Sequence, residues 1–289
     1  MPVTDTPLRY PGGKSQLAPL VIDLLKTNDL LYGEYAEPFA GGAGIALTLL
    51  LNSYVSRIYL NDIDPAIHAF WHSVLHDTDA LCQRVTDTPV TMDEWHRQRA
   101  IYLDPTCADL GTKGFATLFL NRTNRSGILR GGVIGGLNQN GAYKLDCRFN
   151  RGDLVRKIRR IATHAEQIEL SCLDAATFMT TVVPCTSEDT LVNLDPPYYG
   201  KGPELYTNFY RHDDHAALAD AVGRMQRHWM VTYDDTPEIR RLYSRWRCFS
   251  SSLTYSAQVK RTGVEMLVVD DDLHLPRNLL AHDVDAMAA

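Results

Sequence analysis

An apolar stretch, Thr190–Leu194, runs straight into Asp195-Pro196-Pro197-Tyr198-Tyr199. Two consecutive prolines fix two φ angles and remove two backbone donors, so no strand continues through them. The stretch must end there, leaving nearby carbonyls free to accept hydrogen bonds. A strongly apolar stretch of this kind reads as a strand of an open α/β sheet. An acid, a carbonyl and an aromatic ring then meet at the C-terminal end of a strand, where open α/β folds bind ligands.

The first 80 residues agree with that architecture. Glu34–Ala36 leads into Pro38-Phe39-Ala40-Gly41-Gly42-Ala43-Gly44, and Ile45–Leu51 reads as a buried helix. Ser56–Leu60 is a short strand, and Pro65–His76 a helix. Strand, glycine turn, helix and strand in that order open an α/β sheet. Alternation lapses from about 78 to 160. Residues 78–103 look helical with breaks, Phe115–Asn121 is apolar, a glycine-rich basic stretch follows, and Asp153–Ala162 is a basic helix. Further strands are expected at Gln167–Ser171, His228–Thr232, Trp246–Phe249 and Val264–Val269, with helices at Asp214–Gln226 and Pro237–Tyr243. The implied division is a catalytic domain from 1–64 and 165–275, a basic, mostly helical insert over 65–164, and a tail over 276–289.

Charge follows the same division. The 289 residues carry a formal net charge of −6, which taken whole argues against a nucleic-acid partner. Between Thr112 and Arg160, however, stand eleven basic residues and two acidic ones, a net of +9. The remaining 18 basic and 33 acidic residues give −15. Such asymmetry suits either a polyanion-binding surface or a solvated basic helix face.

Several local patterns need weighing. The glycine turn misses the GxGxxG dinucleotide pattern, because position 47 is Leu; alone it fits a plain strand–helix turn equally well. Asp62 ends the next strand, where a carboxylate commonly holds ribose hydroxyls, whereas Asp64-Pro65 looks like a helix start. Pro11-Gly12-Gly13-Lys14-Ser15 resembles the end of a phosphate loop, but Leu8 stands where its first glycine belongs. His212-Asp213-Asp214-His215 reads as a helix start rather than a metal site. Six cysteines without a CxxC pair suit reduced thiols in the cytoplasm. No run approaches the roughly 18 apolar residues of a membrane span.

Taken together, RYPGGK, EPFAGGAG, YLNDID, FLNRTNRSGILRGG and DPPY, in that order, resemble the Dam-like (D12 class) DNA adenine-N6 methyltransferases with the α arrangement of motifs. The likeness spans roughly residues 8–270. It implies a Rossmann-like methyltransferase sheet and S-adenosylmethionine as methyl donor, with S-adenosylhomocysteine as product and no metal. It places Tyr10 and Lys14 at the cofactor, and Phe39, Gly41, Gly42 and Gly44 beneath its methionine portion. Glu37 heads that motif and is counted with it. Asp62 would hold the ribose, Ile63 would pack on the cofactor adenine, and Asp174 would lie near that adenine's amine. Asp195, Pro196 and Tyr198 would be catalytic, with Asp195 touching cofactor and target.

The implied substrate is a flipped-out adenine in duplex DNA. Asn121, Arg122, Asn124, Arg125 and Arg130 offer side chains that pair with base edges and phosphates. Tyr143, Lys144 and Arg148 are expected on a ribbon beside them. Cytosine-N4 methylation poses the same chemical problem, and a DNA-binding subunit without turnover is the alternative outside enzymes. A restriction or defence partner protein is left open, and no membrane is implied.

Overall fold

The computed structural model describes residues 4–9, 14–200, 210–256 and 260–276, and within 251–264 the backbone alone. Tyr10 and nearly all of the expected tail lie outside the described residues.

Seven strands form one sheet: β1 (Glu34–Glu37), β2 (Arg57–Asn61), β3 (Ile168–Ser171), β4 (Thr190–Leu194), β5 (His228–Asp234), β6 (Arg247–Ser256) and β7 (Lys260–Val269). Their order is β3-β2-β1-β4-β5-β7-β6. β1 to β5 pair in parallel, and β7 enters antiparallel between β5 and β6. The expected strands are all present, though the last two form a hairpin longer than foreseen. All five residues of β4 are buried, as a strand parallel to both neighbours requires. Strand order reverses between β1 and β4, which makes a crevice at their C-terminal ends.

Side chains alternate between two hydrophobic clusters. Leu191, Met230, Leu267 and Val269 face α1 (Ala18–Thr27), α2 (Gly44–Leu51) and α3 (Pro65–His76). Val192, Leu194, Val231, Tyr233, Met266 and Val268 face the opposite side. Helix α1 has apolar Val21, Leu24 and Leu25 at helical spacing, a signal present in the sequence but absent from the expectations above.

Between β2 and β3 lie α3, α4 (Thr78–Asp87), α5 (Met92–Leu103), α6 (Leu110–Thr123) and α7 (Arg151–Ala162). Asp64, Thr91, Asp109 and Asn150 cap α3, α5, α6 and α7 by accepting from first-turn amides. Buried residues of these helices join α1, α2 and the sheet in one cluster, so the stretch has no core of its own. Among the described residues the remaining α-helices are α8 (Ala175–Thr181), α9 (His212–Val222) and α10 (Pro237–Leu242). Among the described residues no helix is long and apolar enough to cross a membrane.

Candidate active site

Asp195 leaves the end of β4 with its side chain 29 % exposed. Its Oδ1 lies 2.8 Å from Lys14 Nζ and accepts from the Thr232 hydroxyl at 3.2 Å. Lys14 is buried, 3.3 Å from Glu265 Oε2 and 5.1 Å from the centre of the Tyr198 ring. Both Lys14 contacts are ion pairs rather than aligned hydrogen bonds. The Tyr198 hydroxyl donates to Glu265 Oε1 at 2.7 Å. Burial raises the Glu265 carboxyl, and Lys14 and Tyr198 work against that shift.

The turn after the prolines is clamped from β5. Asp234 accepts from the Tyr199 and Gly200 amides, each at 2.8 Å. Pro196 is buried. His215 backs this wall: its ring packs against Tyr199 and Tyr210, and its Nδ1 lies 2.9 Å from the Tyr233 hydroxyl. Burial lowers its imidazole to about 4, which keeps it neutral. Asp214 caps the start of α9, and among the described residues no His, Cys, Asp and Glu group could hold a metal.

Across the crevice, Asp62 accepts from the Gly41 amide at 2.9 Å and the Asp64 amide at 2.9 Å. Burial raises its carboxyl to about 7. Ile63 beside it is 43 % exposed despite its size. Asp174 caps α8 nearby, and Phe39 meets Tyr210 edge-on at 5.9 Å. An apolar shelf next to a buried carboxylate suits a nucleoside, base on the shelf and ribose at the acid. Gly41 takes a positive φ of 46°, with its carbonyl accepting from Trp71 Nε1. Gly42 is buried. An added Cβ at Gly44 would fall 2.2 Å from Ser15 Oγ, so its bareness lets the Lys14–Ser15 turn close on α2.

Glu37 is buried under the crevice. Its Oε1 accepts from the Tyr35 hydroxyl at 3.1 Å and the Ala46 amide at 3.2 Å. Burial pushes its carboxyl up to about 8 against those bonds.

The residues expected at DNA separate into two groups. Asn121 and Asn124 are buried, with their amides engaged inside the chain. Asn121 accepts from Arg9 N at 2.7 Å and donates to Arg9 O and Gly127 O. Asn124 accepts from Trp95 Nε1 at 2.7 Å and donates to Ile128 O and Leu129 O. Arg122 bonds Arg148 O and Pro7 O, and burial, with Arg9 and Arg148 nearby, lowers it to about 10. These three act as struts in this structure. Arg125, Arg130, Tyr143 and Lys144 are exposed, and Arg148 is half-buried. No ribbon carries Tyr143, Lys144 and Arg148: the segment is a chain of turns pinned by Gln139, which bonds Ile134 O, Gly136 O and Leu145 N.

Glu265 is absent from the expectations, though a lone acid inside the apolar run VEMLVV is a visible signal.

A family model described as D12 class N6 adenine-specific DNA methyltransferase matches residues 10–260. No curated protein sequence matches the chain. Among solved structures, a Pyrococcus horikoshii protein described as a candidate RNA methyltransferase is similar at TM-score 0.42 and 10% identity, covering 91% of this chain and 85% of that one. The rRNA methyltransferase aviRa from Streptomyces viridochromogenes has TM-score 0.37 and 13% identity, covering 90% and 86%. Likeness this distant assigns neither substrate nor residues.

Proposed function

The chain belongs to the D12 class of N6 adenine-specific DNA methyltransferases, and from that premise we propose that it methylates N6 of an adenine flipped out of duplex DNA, with S-adenosylmethionine as donor. The observation that carries the reading is the Asp195 carboxylate. It sits partly exposed at the end of a buried central strand, across the crevice from Asp62 and Ile63. Tyr10, Lys14, Glu37, Phe39, Gly41, Gly42, Gly44, Asp62, Ile63, Asp174 and Asp195 surround or underlie the cofactor in this proposal.

The N6 lone pair is delocalised into the adenine ring, so the amine is a poor nucleophile. Lys14 and Thr232 hold one oxygen of Asp195, leaving the other for an amine hydrogen. The Pro196 carbonyl takes the second. As nitrogen becomes tetrahedral, these acceptors stabilise its growing positive charge and aim its lone pair. S-adenosylmethionine, when bound, supplies an electrophilic methyl on a cationic sulfur that departs as a neutral thioether. The nitrogen then sheds one proton, which Asp195 passes to water. Tyr198 walls the pocket, where base stacking is worth ~1–3 kcal/mol.

A base inside a duplex cannot reach such a crevice, hence the flipping. Exposed Arg125, Arg130, Tyr143 and Lys144, with Arg148, form the proposed DNA face of the 65–164 insert. Six free cysteines support a reducing compartment, the cytoplasm. Asp195→Ala is expected to abolish transfer of a tritiated methyl group to DNA while leaving the melting temperature near the parent value. Full retained activity would refute the assignment.

A further inference from the structure

Lys14 poses a problem for the chemistry just described. Its ammonium lies 2.8 Å from Asp195, and a lysine–aspartate pair by itself is neutral. A neutral pair is a poor stabiliser of an amine that is becoming cationic. Glu265 brings a second carboxylate to the same ammonium at 3.3 Å, so the three groups together carry one negative charge. Glu265 also holds the Tyr198 hydroxyl.

Resting on the proposed function, we infer that Glu265 is a positioning residue for methyl transfer: it fixes the Tyr198 ring and keeps net negative charge beside Asp195. Its place in the fold argues the same. Glu265 lies on the sheet face shared by Leu267 and Val269, and its side chain is 4 % exposed. An apolar residue there would avoid the desolvation of a buried charge, which ion pairing seldom fully offsets. The groups facing it are Lys14 from the turn before α1, and Asp195 and Tyr198 from the end of β4. Its register partner in β5, Asp234, turns its carboxylate to the Tyr199 and Gly200 amides.

Glu265→Gln keeps the shape and an acceptor for Tyr198 while removing the charge. The test measures kcat, and KM for DNA and for S-adenosylmethionine, from pH 5.5 to 9, each rate corrected for folded fraction. We expect kcat to fall about tenfold, in keeping with loss of an electrostatic contribution one group removed from the target. Both KM values should stay within about twofold. Burial raises the Glu265 carboxyl, so the acid limb of the parent profile should move to lower pH in the Gln variant. Glu265→Asp restores the charge and should restore that limb's position and most of the rate. A Gln variant with the parent's kcat and pH profile would overturn the inference. So would a loss matched by unfolding alone, or an Asp variant no better than Gln. A parent protein that transfers no methyl group would instead refute the proposed function.

Discussion

Replacing Asn121 by alanine separates a strut from a base reader. Asn121 is 1 % exposed near the end of α6 and grips both backbone groups of Arg9, as a neighbouring strand would. A third bond reaches Gly127 O. The variant strands one N–H and two carbonyls. A net hydrogen bond is worth about 1 kcal/mol, and a buried polar group left alone costs about 1–3 kcal/mol. Water can relieve the partly buried groups, so the loss should come to roughly 3 kcal/mol, about a hundredfold in the folding equilibrium. Urea unfolding followed by tryptophan fluorescence reads this directly. The segment held by Asn121 leads five positions on to Lys14, so kcat should fall on every DNA sequence alike. An unchanged urea midpoint with an altered methylation-site preference would refute the reasoning and return Asn121 to the DNA.

Gly127→Ala should loosen the same segment. Its φ is +78° and an added Cβ would fall 2.1 Å from Arg9 O, so strain of about 1–3 kcal/mol adds to a backbone clash, and a parent-like melting temperature would contradict this. Glu37 links stability to pH: burial raises its folded value to about 8, so its contribution is full below the usual carboxyl range and lost as pH climbs towards 8. Between pH 5 and 7 that loss should be roughly 2–3 kcal/mol; Glu37→Gln should flatten this part of the curve, and an unflattened urea profile would count against it. Arg125→Ala and Arg130→Ala should each weaken duplex binding and reduce the log–log salt slope by about 1. Slopes equal to the parent's would move the DNA elsewhere.

Much of the architecture was legible because it follows from local rules. Strands show as apolar runs, Asp64-Pro65 marks a helix start, and a double proline ends β4 wherever β4 sits. Those rules placed Asp62 and Asp195 at strand ends, and charge counting located the basic stretch. Composition could not say which polar side chains of that stretch face solvent. Asn121 and Arg125 are both polar and neighbours in sequence, yet one is sealed against Arg9, 112 positions away, and the other is exposed. Lys14, Asp195 and Glu265 come from three distant parts of the chain; the resemblance carried by the ordered motifs puts the first two at one cofactor, but nothing local joins Glu265 to them. Local sequence determined backbone conformation and strand ends, because φ restrictions and side-chain periodicity act over a few residues. Only the tertiary structure decided which polar groups became struts and which charges share one site, because hydrogen bonds and ion pairs depend on distance in space.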